Sequence, residues 1–164
     1  MGRWRPPRPP SSAYITAEGH RRLQHELKQL WIDRREVVSA ITAAAAEGDR
    51  SENAEYIYRK KQLRAMDGRI RYLQKRLDVL DVVRDRPPQL DRVFFGATVT
   101  LEDEAGESSR YRIVGADEID SEQGWISVDS PVARALLGRS LDDEVRIETP
   151  AGSRQLIVIQ IDYS

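Results

Sequence analysis

The sequence predicts an α+β fold: an N-terminal antiparallel helical hairpin, an intramolecular coiled coil, followed by a small antiparallel-sheet domain with a short helix. Three observations carry this. Apolar residues recur at alternating steps of three and four along two long segments separated at Gly48, the period of a coiled-coil seam. After Pro87-Pro88 the period changes to two, as in half-buried strands. The break between the helical segments is short, and a short connection makes neighbouring helices antiparallel.

The opening MGRWRPPRPPSS is basic and proline-rich and precedes no apolar signal-peptide core, so residues 1–12 read as a disordered Pro/Arg tail. The first helix starts at Thr16 as N-cap, with Glu18 in a first turn where the helix dipole favours an acid. Leu23, Leu27, Leu30, Val37, Ile41 and Ala44 form its seam, interrupted by Arg34, and Gly48 suits the C-terminal turn. The second helix, from Ser51 to Asp85, places Tyr56, Leu63, Met66, Ile70, Leu73, Leu77 and Leu80 on one register, with Arg59 as its polar member. Pro87-Pro88 cannot continue it. Each helix would be a rod of about 45–50 Å.

Residues 13–86 therefore make the hairpin and 87–92 a linker, leaving 93–164 for the sheet domain. Its five strands are read at Phe95–Leu101, Arg110–Gly115, Gly124–Val128, Glu144–Glu148 and Gln155–Ile161. Asp129-Ser130-Pro131 reads as a cap and first-turn proline opening a short helix, Val132 to Leu137, closed by Gly138.

The net charge of -1 hides an asymmetry. Residues 1–94 hold 20 Lys/Arg against 13 Asp/Glu, whereas residues 95–164 hold 6 against 14. Such a division suggests that the front half meets a polyanion and the back half something else. There is no cysteine, which excludes disulfides and thiolate metal sites. No apolar run approaches the roughly 18 residues a membrane span needs.

Chemistry concentrates between the helices, in EGDRSENAEY at 47–56. Asp49 and Glu52 stand three apart, so their carboxylates can face one way. Hard oxygen donors of this kind suit Mg²⁺, which takes only one or two protein carboxylates when phosphate is present. Two acids cannot hold it tightly alone, but they can complete a site whose other ligands belong to a partner. Asp-x-x-Glu at a helix start equally imitates a capping box, and spacing leaves both readings open. Behind them, residues 59–76 carry Arg59, Lys60, Lys61, Arg64, Arg69, Arg71, Lys75 and Arg76 against Asp67 alone. This is either a solvated face or a surface for RNA or DNA. Tyr56 and Tyr58 are placed to stack on a base, although Tyr56 also fits the seam. His20 and His25 lack metal-ligand spacing, no serine stands in a His/Asp arrangement, and no phosphate loop follows a strand. A self-contained active site is not visible.

GDRSENAEY, Tyr58, Lys60-Lys61, RIRYLQKRL at 69–77, FFGATV at 94–99, YRIVGADEI at 111–119, ISVDSPVARALLG at 126–138 and TPAG at 149–152 resemble the bacterial transcript cleavage factors of the GreA/GreB family, over about residues 13–164. The Leu30-Trp31 pair and the basic second helix look more like the GreB branch. The resemblance implies an FKBP-like sheet domain that docks at the rim of the RNA polymerase secondary channel, with the hairpin inside the channel. Asp49 and Glu52 would then be the catalytic and metal residues, sharing Mg²⁺ with the polymerase, which cleaves its own backtracked transcript. Arg59, Lys60, Lys61 and Arg64 would hold the nascent RNA 3′ segment, and Asp129, Ser130 and Pro131 would dock to the polymerase. It implies a cytoplasmic, monomeric accessory factor rather than an enzyme, with no membrane partner. The alternative is a secondary-channel inhibitor without cleavage stimulation, which retention of both acids argues against. A prolyl isomerase rests on fold analogy alone, with Phe94, Phe95, Tyr111, Trp125 and Tyr163 spread along strands as core candidates.

Overall fold

The structure, a computed structural model, describes residues 10–48 and 53–163. The chain divides into two compact units, one of residues 20–80 and one of residues 1–19 with 81–164.

The first unit holds two helices, α1 (Ala17–Ala45) and α2 (Ala54–Val79). At 1.5 Å per residue they run about 43 and 39 Å. They are antiparallel: Glu26 and Asn53 reach partners at Arg69 and Ala44 on the opposite helix. Leu23, Val37 and Ala44 of α1 and Ile70 and Leu73 of α2 are buried, all at expected seam positions. Arg34 interrupts the apolar seam without leaving an orphan charge, because its Nε donates to Asp67 Oδ1 at 2.7 Å. That hydrogen bond also raises the guanidinium pKa above its ordinary value.

Thr16 caps α1 as expected, its hydroxyl accepting from Gly19 N at 3.1 Å. Both helices end earlier than the pattern predicts. α1 gives way after Ala45 to tighter three-residue bonds, Ala46 N and Glu47 N donating to Ala43 O and Ala44 O. Gly48 follows at φ +131°, a backbone region other residues avoid. α2 stops at Val79, because residues 81–83 form a strand, β2 (Asp81–Val83), parallel to β1 (Tyr14–Thr16). Asp81 N donates to Ala13 O at 2.8 Å. Period counting extended the helix through these residues; a partner 67 positions away in register, Tyr14 opposite Asp81, leaves no mark on local periodicity. The pairing also takes residues 13–19 and 81–86 out of the hairpin unit as the sequence bounds it.

The second unit is built on β3 (Thr98–Glu102), β4 (Ser108–Val114), β5 (Trp125–Ser127), β6 (Glu144–Thr149) and β7 (Gly152–Asp162), in the order β5-β4-β3-β7-β6. All five strands lie where alternation predicts them, with ends shifted by a few residues. The β3–β4, β3–β7 and β6–β7 pairs are antiparallel, but β4–β5 is parallel, so the sheet is mixed. Alternation within a strand reports which face is buried and is silent on the direction of the neighbour. A bulge at Thr100/Leu101 skips Ile159 of β7 in the pairing.

Val99 and Leu101, Val145 and Ile147, and Leu156 and Val158 point from β3, β6 and β7 into one core. Ala133 and Leu136 close it from α3 (Pro131–Leu136), which packs on β6 and β5. Of the five aromatic core candidates, Phe95, Tyr111 and Tyr163 pack at its edge, whereas Phe94 and Trp125 are not part of this cluster.

The opposite side of β4 receives the N-terminal segment. Val114 and Ile15 are fully buried there, and Glu118, in the loop after β4, is 4% exposed. Its Oε2 accepts from Thr16 N at 3.1 Å and from Gly115 N at 2.8 Å, while its Oε1 accepts from the Thr16 hydroxyl. A buried carboxylate is tolerated when its lone pairs are met this way. Thr16, which belongs to the sheet unit, is thereby held within it by hydrogen bonds that sequence reasoning did not foresee.

Candidate functional site

The ends of α1 and α2 that face the EGDRSENAEY turn are held by Asn53. It sits in extended backbone (φ -82°, ψ 99°) as N-cap of α2, a position where asparagine is among the preferred residues because its short carbonyl reaches a free amide. Its Oδ1 accepts from Tyr56 N at 3.1 Å, and its Nδ2 donates to Ala44 O at 2.8 Å, a carbonyl in the last turn of α1 that also accepts from Glu47 N. One side chain therefore satisfies a donor on one helix and an acceptor on the other.

This corrects the capping-box alternative. α2 begins at Ala54 rather than Ser51, so the cap offered by spacing to Asp49 belongs to Asn53. Asp49 and Glu52 themselves lie outside the described residues. Their two carboxylates are hard oxygen donors, and two is the number Mg²⁺ accepts when phosphate supplies further ligands; the donor set fits that ion. Asn53 was legible in principle, as a strong N-cap residue just before AEYIY, but the nearby acids drew the reading away from it.

The basic flank divides into two parts. Arg59 turns toward the seam, where it lines a cavity with Leu30, Val37 and Met66. Its Nε donates to Glu55 Oε1 at 2.8 Å and one terminal nitrogen to Gln62 Oε1 at 3.0 Å. The Glu55 hydrogen bond raises its pKa above the ordinary value. Lys60, Lys61 and Arg64 are exposed, and their spacing of three and four keeps them on one side of the helix. Lys60 Nζ lies 5.9 Å from the Tyr56 ring centroid. Tyr58 is 59% exposed, consistent with a surface ring, whereas Tyr56 is half-buried in line with its seam position. Further along, Arg69 pairs with Glu26 through two hydrogen bonds of 2.7 and 3.0 Å. Glu26 on α1 thus offsets one charge of a run that looked unopposed along α2 alone.

Asp129, Ser130 and Pro131 open α3. Ser130 is its N-cap, accepting from Ala133 N at 3.2 Å, and Pro131 occupies the first turn. Asp129 Oδ2 accepts from Ser12 N at 2.8 Å, which ties the end of the N-terminal tail to this segment. Among the described residues no group of three or more His, Cys, Asp and Glu side chains could hold a metal ion. No helix among them is long and apolar enough to cross a membrane.

Comparison with known proteins covers nearly all of this architecture. Residues 13–82 match the family model for the transcription elongation factor N-terminal domain, and residues 87–163 the model for the GreA/GreB transcription elongation factor C-terminal domain. Transcription elongation factor GreB of Xanthomonas axonopodis pv. citri is 59% identical over 166 residues, covering 100% of this chain and 99% of its own. GreB of Pseudomonas aeruginosa is 57% identical, covering 99% and 98%, and that of Pasteurella multocida is 58% identical, covering 93% and 97%. Among solved structures, the GreA/GreB elongation factor of Nitrosomonas europaea aligns at TM-score 0.44 and 22% identity, covering 93% of this chain and 100% of that one. With both halves matched in order and relatives alike along almost their whole length, the chain belongs to the GreA/GreB family of transcription elongation factors.

Proposed function

We propose that this elongation factor enters the secondary channel of bacterial RNA polymerase in the cytoplasm and stimulates the polymerase's own endonucleolytic cleavage of backtracked nascent RNA. The observation that carries the reading is Asn53. Asn53 fills the N-cap position of α2 and bonds Ala44 O of α1, so the cap of this helix does not call for Asp49 or Glu52, and the reading gives their carboxylates to a partner's metal site. The protein is an accessory factor: it supplies two carboxylates, and the polymerase supplies the rest. A Mg²⁺ ion bound there would contribute stabilisation of the attacking and leaving oxygens of an in-line displacement. Asp49 and Glu52 would hold that ion together with the polymerase's ligands. Lys60, Lys61 and Arg64, with Arg59 behind them, would hold phosphates of the displaced RNA 3′ segment. The Asp129-Ser130-Pro131 segment, stiffened by its role as a helix cap, would dock the sheet unit on the polymerase. The factor acts as a monomer in this scheme.

The test is cleavage of stalled, backtracked elongation complexes. Addition of the protein with Mg²⁺ is expected to release short 3′ RNA fragments, and the protein alone to cut nothing. Asp49→Asn and Glu52→Gln should abolish stimulation while competing normally for polymerase. Normal cleavage by both variants would remove the metal role.

A further inference from the structure

The outward face of α2 carries a pattern that neither seam packing nor phosphate contact requires. Tyr58, Lys61, Ala65, Gly68, Tyr72 and Lys75 succeed one another at steps of three and four, which keeps them on one helical face. That line is distinct from the seam, whose buried members are Ile70 and Leu73. Tyr58 is 59% and Tyr72 43% exposed. The two rings are spaced about 21 Å along the axis, and a lysine follows each by three residues. Arginines border both, Arg59 at 5.6 Å from the Tyr58 centroid and Arg69 at 5.3 Å from that of Tyr72.

Between the rings the surface is low. A Cβ at Gly68 would meet nothing within 4 Å, so packing does not ask for glycine there. Glycine nevertheless weakens a helix interior relative to alanine. With Ala65 it leaves open ground over which an extended chain can pass close to the helix.

We propose that this face binds single-stranded RNA by base stacking on Tyr58 and Tyr72, with Lys61 and Lys75 each on a phosphate beside the stacked base. The proposal rests on the reading of the α2 flank as an RNA-holding surface and deepens it, adding stacking to charge and extending the contact along α2. The occupant follows from chemistry. Exposed aromatic rings set among cations suit a strand that offers phosphates and unpaired base faces together, and a duplex hides those faces. A protein partner seeking an apolar patch would find each ring surrounded by charge.

Two measurements on the full-length protein test it. In the first, anisotropy compares a labelled 15-nucleotide oligouridine with an abasic strand of equal charge. The uridine strand should bind more tightly, and Tyr58→Ala with Tyr72→Ala should erase the difference, a loss of about tenfold or more in affinity. Tyr→Phe at both positions should restore it, since the ring rather than the hydroxyl is used. Equal binding of the two strands by the unaltered protein, or equal loss in the Phe and Ala variants, would overturn the proposal. In the second, the double Ala variant should reduce crosslinking to 4-thiouridine in the extruded 3′ RNA of backtracked complexes. Unchanged crosslinking would also overturn it. Should the unaltered protein stimulate no cleavage while base-dependent binding persists, the functional reading fails and the stacking surface stands.

Discussion

At the residue scale, Glu118 and Gly19 show how one buried side chain constrains another. Glu118 spends both carboxylate oxygens on the start of α1 and on Gly115 N. The space this requires is left by Gly19, where a Cβ would lie 2.0 Å from Glu118 Oε1 and 2.4 Å from its carboxyl carbon. A flexible surface carboxylate would swing aside at little cost, but Glu118 is buried and cannot move without orphaning the amides of Thr16 and Gly115. Leaving buried donors unpaired costs on the order of 1–3 kcal/mol. Gly19→Ala should therefore destabilise the sheet unit by roughly 2 kcal/mol, read as a lowered denaturation midpoint. Adding Glu118→Ala to it should cause little further loss, because the Glu118 contacts are already disrupted and the clash is then gone. Strict additivity of the two changes would mean that they do not act through one contact. Neither residue stood out in the sequence: a glycine in a first helical turn and a glutamate in a loop are common, and only their proximity across 99 positions gives them meaning.

At the scale of elements, among the described residues the Asn53 amide ties the far end of the hairpin, and packing holds it along its length. Heptad spacing identified the seam because burial on a helix repeats with the helix. Leu23, Val37, Ile70 and Leu73 are buried accordingly. The same counting misjudged the helix ends, where caps and distant strands compete with periodicity: Asn53 starts α2 later than Ser51, and β1 stops it earlier than Asp85. Asn53→Ala removes an N-cap and the side-chain bond to Ala44 O, so it should cost about 1–2 kcal/mol. Asn53→Asp would keep the cap and lose only the bond to α1. Hydrogen exchange should show faster exchange at Tyr56 N in the Ala variant than in the Asp variant. Equal exchange in both would show that the cap is not what holds this turn.

For the whole molecule, charge is the property that spans both units. Residues 1–94 carry the basic excess and residues 95–164 the acidic one, and the exposed Lys60, Lys61 and Arg64 lie within the first. Counterion release makes each phosphate contact to a single strand worth a slope of about -0.7 in log affinity against log salt. Replacing the three together with Ala should flatten the slope for single-stranded RNA by about 2, measured between low and moderate salt. A slope unchanged from the parent protein would return these residues to a solvated face. The sequence by itself determined the helical hairpin, the five strands, the acidic turn, the basic flank and the family, since periodicity, composition and motif order are local properties written along the chain. Only the tertiary structure decided that Asn53 caps α2, that β1 and β2 pair in parallel, that Glu26 of α1 answers Arg69 of the basic run, and that Glu118 receives the start of α1. Each of these depends on groups that are distant in sequence or compete for the same local role, and the winner is set by which donors and acceptors folding brings within hydrogen-bonding distance.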